Sequence, residues 1–305
     1  MKRHFIYLSK RFLLIFFSIE VFIHFTVKDI VYPINILFYL SAPLLLIIGS
    51  LVMSILFFKN KKVFYVLVMS FFSLVFYWSV YYYKTTSIEK STDSYDTVLF
   101  WNIGRNGEDP FKIIMKEIEN ISPEFVGLVE ADCITNEHLE EFRNRFPNYQ
   151  IRKLEGGMLV IVKGRIDVIT YHYALGFYKF NVVDFNIENQ KRSILIADIN
   201  AVPFDNRTSS LDIVYRSAKD HNCSFIMGDF NTPYESIYFN QFRQNLYSFH
   251  DVANGFTTTW PYGIPLFEID QIWSSKNNTP ILLKKAYYNT SDHALLIGSY
   301  QSITR

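Results

Sequence analysis

Cysteine is almost missing from this chain, with two in 305 residues, Cys133 and Cys223. They are too far apart for metal-ligand spacing and too few for a disulfide framework, which excludes a thiolate zinc site and a disulfide-stapled scaffold. A single bridge in an oxidising compartment stays open. There is no Gly-rich phosphate loop, no internal repeat and no heptad pattern, which sets aside P-loop nucleotide binding, solenoids and coiled coils. Acidic residues are scarce in one region only. Residues 1–90 hold ten Lys/Arg but just Glu20, Asp29 and Glu89, which leaves 91–305 with 20 basic and 26 acidic residues, a formal −6. The near-neutral total of +1 therefore hides a basic, apolar N-terminal third and an acidic remainder. That deficit of cations argues against tight non-specific DNA binding, which relies on Lys and Arg.

Hydrophobic residues, by contrast, make up 50% of the chain, with 29 Phe and 21 Tyr, and the excess is concentrated early. Three apolar segments, Phe12–Val27, Ile36–Phe58 and Val63–Tyr83, are separated by charge. The second and third have the length that crosses a bilayer; the first is marginal and contains Glu20 and His24. Lys2, Arg3, Lys10 and Arg11, and again Lys59, Lys61 and Lys62, mark cytoplasmic sides. Both clusters lie inside only if the first segment also crosses. The pattern predicts a three-span anchor over 1–84, a polar linker over 85–96 and a domain over 97–305 outside the cytoplasm. Glu20 and His24, four apart, would share a helix face within the anchor.

From Thr97 onward the pattern changes. Strand-like runs are Thr97–Ile103, Glu124–Val129, Met158–Val162, Asp167–His172, Tyr178–Ile187, Ser193–Ala197, Cys223–Met227, Ile269–Trp273 and Ser291–Ile297. Helical spacing occupies Asp109–Ile121, Asn136–Phe146 and Arg207–Lys219, and Pro233 suits the start of a helix through Asn245. Strands mixed with helices over this length predict a layered α/β domain.

The stretch Met227-Gly-Asp-Phe-Asn-Thr-Pro233 organises the reading. Alone it reads as a turn, since Gly, Asp, Asn and Pro are turn residues. If the strand continued, Asp229 and Asn231 would point the same way. Other runs also end in polar residues: Asn102, Glu130, Asp198, Asp270, Asp292 and His293. Strand ends on one edge of a sheet converge, and ligands bind there. A mostly acidic set would repel itself without a cation, and hard oxygen donors favour Mg²⁺, Mn²⁺ or Ca²⁺ over zinc. A carboxylate can also orient a histidine ring, giving equipment to activate water at phosphorus. His138, His172, His221 and His250 read as structural.

The stretches Leu99-Phe-Trp-Asn-Ile103, Gly127-Leu-Val-Glu130, Gly228-Asp-Phe-Asn231, Ile269-Asp270 and Ser291-Asp-His293 resemble, in order, the endonuclease/exonuclease/phosphatase superfamily. The resemblance implies a deoxyribonuclease I-like four-layer α/β sandwich, here preceded by three transmembrane helices. Thr258-Thr-Trp-Pro261 and the apolar spans look like a membrane-anchored bacterial branch. By that resemblance Glu130 is the principal metal ligand, with Asn102 beside it and Asp292 supporting the metal or the histidine. His293 is general base or proton shuttle, oriented by Asp270. Asp229 and Asn231 position the attacking water and a phosphoryl oxygen. The cofactor implied is Mg²⁺ or Mn²⁺. Asp198, Arg207 and Trp260 fall among the substrate-binding residues. Asp198 departs from the family, many of whose members have a phosphate-donating His there; an ionised Asp cannot donate, and Arg207 could supply the donor.

The leading expectation is a membrane-anchored, divalent-metal-dependent hydrolase of phosphoester bonds in the inner or plasma membrane. Its substrate is nucleic acid, phospholipid or a small molecule, and the sequence identifies no protein partner. The alternative is an inactive member acting as an extracytoplasmic binding protein, for which Asp198 is the best support. A third reading, in which the spans themselves do the work through Glu20, has little behind it.

Overall fold

The computed structural model describes residues 2–86, 95–104, 109–205 and 207–303, with side chains from Tyr7 onward. The chain divides into two compact units, Met1–Tyr83 and Lys84–Arg305. Most of the polar stretch read as a linker, residues 87–94, lies outside the described residues.

The first unit is helical: α1 (Lys2–Phe22), α2 (Asn35–Leu40), α3 (Pro43–Leu56) and α4 (Lys61–Tyr82). Hydropathy predicts three crossings, but among the described residues only α4 is long and apolar enough to cross a membrane. The predicted second span is not one helix. It breaks at Ser41–Ala42, where Ala42 takes an extended conformation ahead of Pro43. A residue before proline is pushed out of the helical region, and Pro43 instead starts a new helix. The 14-residue α3 that follows is too short to span alone. The first segment continues past α1 as a π-helical turn, Ile23–Val27, and the buried His24 ring lies 3.1 Å from Ser41 Oγ.

The second unit is a sandwich of two six-stranded sheets. The first, in the order β11-β12-β1-β2-β4-β3, comprises β1 (Asp96–Asn102), β2 (Phe125–Val129), β3 (Gln150–Leu154), β4 (Met158–Val162), β11 (Asn278–Ala286) and β12 (Leu295–Ser302). The second, in the order β9-β10-β8-β7-β6-β5, comprises β5 (Arg165–Ala174), β6 (Tyr178–Ile187), β7 (Gln190–Ile199), β8 (Phe225–Asp229), β9 (Tyr247–Ser248) and β10 (Asp270–Ser274). Each sheet has one parallel pair at its centre, β1 with β2 and β7 with β8, among antiparallel neighbours. The connecting helices, α5 (Phe111–Ile121) and α7 (Thr208–Asp220), make each pair a βαβ crossover.

Strand periodicity explains the layers. Val98, Phe100, Phe125, Val129, Ile194, Ile196, Phe225, Met227 and Ile272 alternate along their strands and form the core between the sheets. Leu99, Trp101, Val126 and Leu128 face the other way and pack under α5 and α6 (Asn136–Arg145). Behind the second sheet, Trp273 meets Phe239 and Phe242.

Several boundaries differ from the sequence reading. The expected helix over Tyr234–Asn245 is a 3₁₀ turn (Ile237–Phe239) and a six-residue α8 (Asn240–Asn245). The last strand begins at Leu295, so Ser291–His293 lies on the loop before it. Both cysteines are free, Cys133 exposed and Cys223 buried.

Candidate active site

On the inner faces of β1, β7 and β8 the apolar alternation runs out at one level, and the next inward positions are Asn102, Asp198 and Asp229. In the second sheet, Asp270 pairs in register with Asp229, Asp229 with Asp198, and Asp198 with Lys179. Three aspartates and one lysine thus form a row across four adjacent strands. Like charges directly opposite destabilise a sheet, so each aspartate needs its own compensation. Gly228 keeps the row tight: a Cβ there would come within 2.4 Å of the Ala197 carbonyl oxygen.

Asp270 is compensated by His293. Its Oδ2 is 2.8 Å from His293 Nδ1, and both groups are buried. The loop holding His293 is fixed from three sides: Ser291 Oγ donates to Asn102 O at 2.7 Å, His293 N donates to Ser291 Oγ at 3.0 Å, and Trp101 Nε1 donates to His293 O at 3.1 Å. With Nδ1 facing Asp270, Nε2 points at Asp229 Oδ2, 3.9 Å away, and Asp292 Oδ1, 4.0 Å away. Burial pulls the His293 pKa down, but Asp270 and then Asp229 and Asp292 outweigh it, and the net effect is a rise to about 10. The protonated ring would carry a proton on Nε2 as well as on Nδ1.

Asp229 is compensated from the other sheet. Asn102, at the end of β1, donates Nδ2 to Asp229 Oδ2 at 2.9 Å and lies 3.4 Å from Glu130 Oε1. Asp229 Oδ1 accepts the Asn231 backbone N–H at 2.9 Å. That short-range bond turns the chain: Asn231 has φ +47°, so strand alternation stops at Asp229. The two side chains therefore do not share a strand face, and Asn231 Nδ2 instead donates to Ile199 O at 2.8 Å. Burial first, and then the neighbouring Asp270, push the Asp229 pKa well above the usual carboxylate range.

Asp198 is compensated by Lys179, whose Nζ is 2.8 Å from Asp198 Oδ2 and donates to the Gly156 carbonyl at 2.8 Å. Burial raises the Asp198 pKa and Lys179 opposes it. Sequence reasoning missed Lys179. The available signal was a break in alternation: Lys179 and Asn181 continue the face that Val183 and Phe185 bury. Arg207, the expected phosphate donor, is 4% exposed and its guanidinium donates to the main-chain carbonyls of Asn231, Ala201 and Val202. It braces two loops of the site from below.

Glu130 follows β2 directly and is half-buried in a left-handed conformation. Trp260 Nε1 donates to Asp292 Oδ2 at 2.7 Å, so the indole steers that carboxylate. Thr259 Oγ1 accepts from Ile269 N and Asp270 N, which fixes the start of β10. Asp270 and Lys179 thus stand at the beginnings of antiparallel strands and Asp292 and His293 on the loop before one, whereas Asn102, Glu130, Asp198 and Asp229 lie at or just past the ends of parallel ones; both directions deliver side chains to one edge. Of the histidines expected to be structural, His250 Nδ1 lies 2.8 Å from the buried Glu268, and His138 completes the capping box of α6.

The donor set suits a hard divalent cation. Five carboxylates (Glu130, Asp198, Asp229, Asp270, Asp292) face two cationic groups, and Asp270 Oδ1 is buried without a hydrogen-bond partner. Asp229, Asp270 and His293 offer donor atoms within 4.8 Å of one another. An ion among those three would compete with the His293–Asp270 bond, whereas Glu130 and Asp292 leave that bond intact.

The fold recurs in solved proteins. The catalytic domain of human Nocturnin, solved with a bound sulfate anion, matches at TM-score 0.51 and 15% identity over 68% of this chain and 93% of that one. TDP2 from D. rerio, complexed with single-strand DNA product, matches at 0.52 and 13% over 69% and 100%. An endonuclease/exonuclease/phosphatase from Bacteroides vulgatus matches at 0.54 and 14% over 69% and 100%. No curated protein sequence matches the chain. Residues 99–293, well over half of the chain and bounded by Leu99 in β1 and His293 in the site, match the Endonuclease/Exonuclease/phosphatase family profile, and the chain belongs to that family.

Proposed function

We propose that this chain is a membrane-anchored, divalent-metal-dependent phosphodiesterase with its catalytic unit on the extracytoplasmic side. The observation that carries the chemistry is the His293–Asp270 bond, which leaves Nε2 facing Asp229 inside an acid-rich, buried edge. His293, an imidazolium at neutral pH, donates from Nε2 to a phosphoryl oxygen. Asp229, held by Asn102 and facing His293 Nε2, accepts the proton of the attacking water. Glu130, Asn102 and Asp292 would hold Mg²⁺ or Mn²⁺, which would offset their charge and polarise a phosphoryl oxygen.

Asp198 is the feature that favours an inactive binding protein, and Lys179 weakens that case. The pair replaces a neutral donor with a balanced ion pair that keeps an ammonium at the site. Anchoring rests on α4, a 22-residue apolar helix preceded by Lys59, with Lys61 and Lys62 in its first turn. Lysines at that end support a cytoplasmic start by the positive-inside rule, with the chain emerging outside after Tyr82.

The test is turnover of bis-p-nitrophenyl phosphate by the full chain in detergent, with and without Mg²⁺ or Mn²⁺, beside Glu130→Gln and His293→Gln. Metal-dependent cleavage lost in both variants is expected. Cleavage that survives both changes would sink the assignment.

A further inference from the structure

The mouth of the site carries an apolar rim that phosphoester chemistry does not require. The hairpin joining β5 and β6 presents Tyr173, Leu175 and Phe177, with Leu175 90% exposed. The loop after β7 presents Val202 and Phe204, the latter 59% exposed. Asn200 stitches the two loops together. Its N–H donates to Phe177 O at 3.0 Å, and its side-chain amide donates to the Gly176 carbonyl and to Asp205 Oδ2. Its Oδ1 accepts from Val202 N at 3.2 Å. The apolar side chains therefore stand on one braced ridge. Behind it a cleft of about 330 Å³ runs to Glu130, Asp198 and Asn231. The loop that bears Trp260 adds exposed Tyr262 and Ile264.

A contiguous exposed apolar patch beside a site marks an interaction surface. Charge decides what covers this one. Among the residues that line the cleft the one cation is Lys179, and it is paired with Asp198. A nucleic-acid strand needs Lys or Arg along its phosphates, and the described residues of this rim offer none besides the paired Lys179. A bilayer surface needs apolar and aromatic side chains at headgroup depth, which it does offer. The sequence keeps this unit close to a bilayer: residues 83–95 join α4, the helix able to cross one, to the start of β1.

We propose that the rim dips into the bilayer surface and that the substrate is the phosphodiester of a membrane glycerophospholipid. The phosphate enters the cleft while the acyl chains stay among the rim side chains. Water's oxygen forms the new bond to phosphorus, one P–O ester bond breaks, and a proton ends on the departing alcohol oxygen. This proposal rests on the phosphoesterase reading above.

The test uses the full chain in nanodiscs of equal parts phosphatidylcholine and phosphatidylglycerol. On a Cys133→Ser background, Leu175→Cys is labelled with an environment-sensitive fluorophore; Cys223 is buried and stays unlabelled. Blue-shifted emission, quenched by spin-labelled lipid, is expected; water-like emission would overturn the membrane contact. In parallel, Leu175→Ser/Phe204→Ser should cut phosphatidylglycerol hydrolysis at least about tenfold, the factor 1.4 kcal/mol represents, and leave bis-p-nitrophenyl phosphate turnover unchanged. Equal loss on both substrates, or no loss on lipid, would overturn it. So would cleavage of a single-strand oligonucleotide that falls in the double variant while lipid is untouched. If the wild type cleaves nothing, the phosphoesterase reading fails, and the fluorophore still decides the rim.

Discussion

The two ends of the sandwich bury charge in opposite ways. At the far end, Arg192 Nη1 lies 2.6 Å from Glu124 Oε2 and 2.8 Å from Tyr300 OH, and Tyr300 in turn donates to Glu124. One cation meets one buried anion there, and a phenol donates to the same carboxylate oxygen. At the site end, the row Asp270–Asp229–Asp198, with Glu130 and Asp292 nearby, outnumbers His293 and Lys179. Both ends are buried at comparable depth, so burial alone does not mark function. A charge cluster that balances in place closes the fold. A cluster with surplus acid among the described residues has the donor chemistry that suits a hard divalent cation.

Changes at the two ends should therefore separate activity from stability. The largest effect is expected from His293→Gln, which should lower kcat by about 10³-fold with little change in Tm. Asp270→Asn should resemble it, and the double variant should be scarcely worse than either alone, since the two side chains act as a unit. Parallel loss of Tm would place both residues in the structural class with Glu124. Next comes Arg192→Met, which strands Glu124 in the interior. It should cost about 3 kcal/mol, a fall in Tm of roughly 10 °C, and leave kcat of the folded fraction intact. A matching drop in kcat would erase the contrast between the ends.

Metal sharpens the comparison further. Mn²⁺ at a hundredfold excess over its Kd should stabilise the wild type by about 2.7 kcal/mol in a melting experiment. Glu130→Gln should remove most of that gain, while Arg192→Met should keep it. A gain that survives in Glu130→Gln would move the ion to Asp229 and Asp270. The smallest change is expected from Lys179→Met, about 1–2 kcal/mol of stability from leaving Asp198 unpaired. Lys179→Met/Asp198→Asn should recover most of it, and the two variants' kcat values would show how far the ammonium serves the phosphate.

The sequence made the site easier to read than the fold around it. Asn102, Glu130, Asp229, Asp270 and His293 each interrupt an apolar run, and a polar residue at the end of a buried strand is conspicuous. Lys179 was hidden because a lysine among Tyr178, Phe180 and exposed neighbours looks solvated; only its cross-strand register with Asp198 gives it meaning. Strands β3 and β11 escaped notice because edge strands carry Lys, Arg, Asn and Pro, as in Arg152, Lys153, Asn278 and Pro280, against unwanted pairing. The break at Ala42–Pro43 was outvoted by hydropathy, which sums over a window and ignores one missing N–H. The central parallel pair common to both sheets left no trace as a sequence repeat, because packing asks only for alternation of apolar residues and not for their identity.

The reactive edge is also assembled from distant parts of the chain. Asn102 reaches Asp229 across 127 positions, and Trp101 holds the His293 loop across 192. Contacts so far apart form late, after the loop-closure cost of bringing both sheets together has been met. A ribosome emits the chain from its N-terminus, so Glu130, Asp198 and Asp229 all emerge before the histidine that completes them. Hydrolytic competence should then appear in one late step, when the sheets dock, and partly folded chains should be inert toward phosphoesters. Refolding followed by turnover would show a lag behind the recovery of β-structure, and the length of that lag would time the closure of the sandwich.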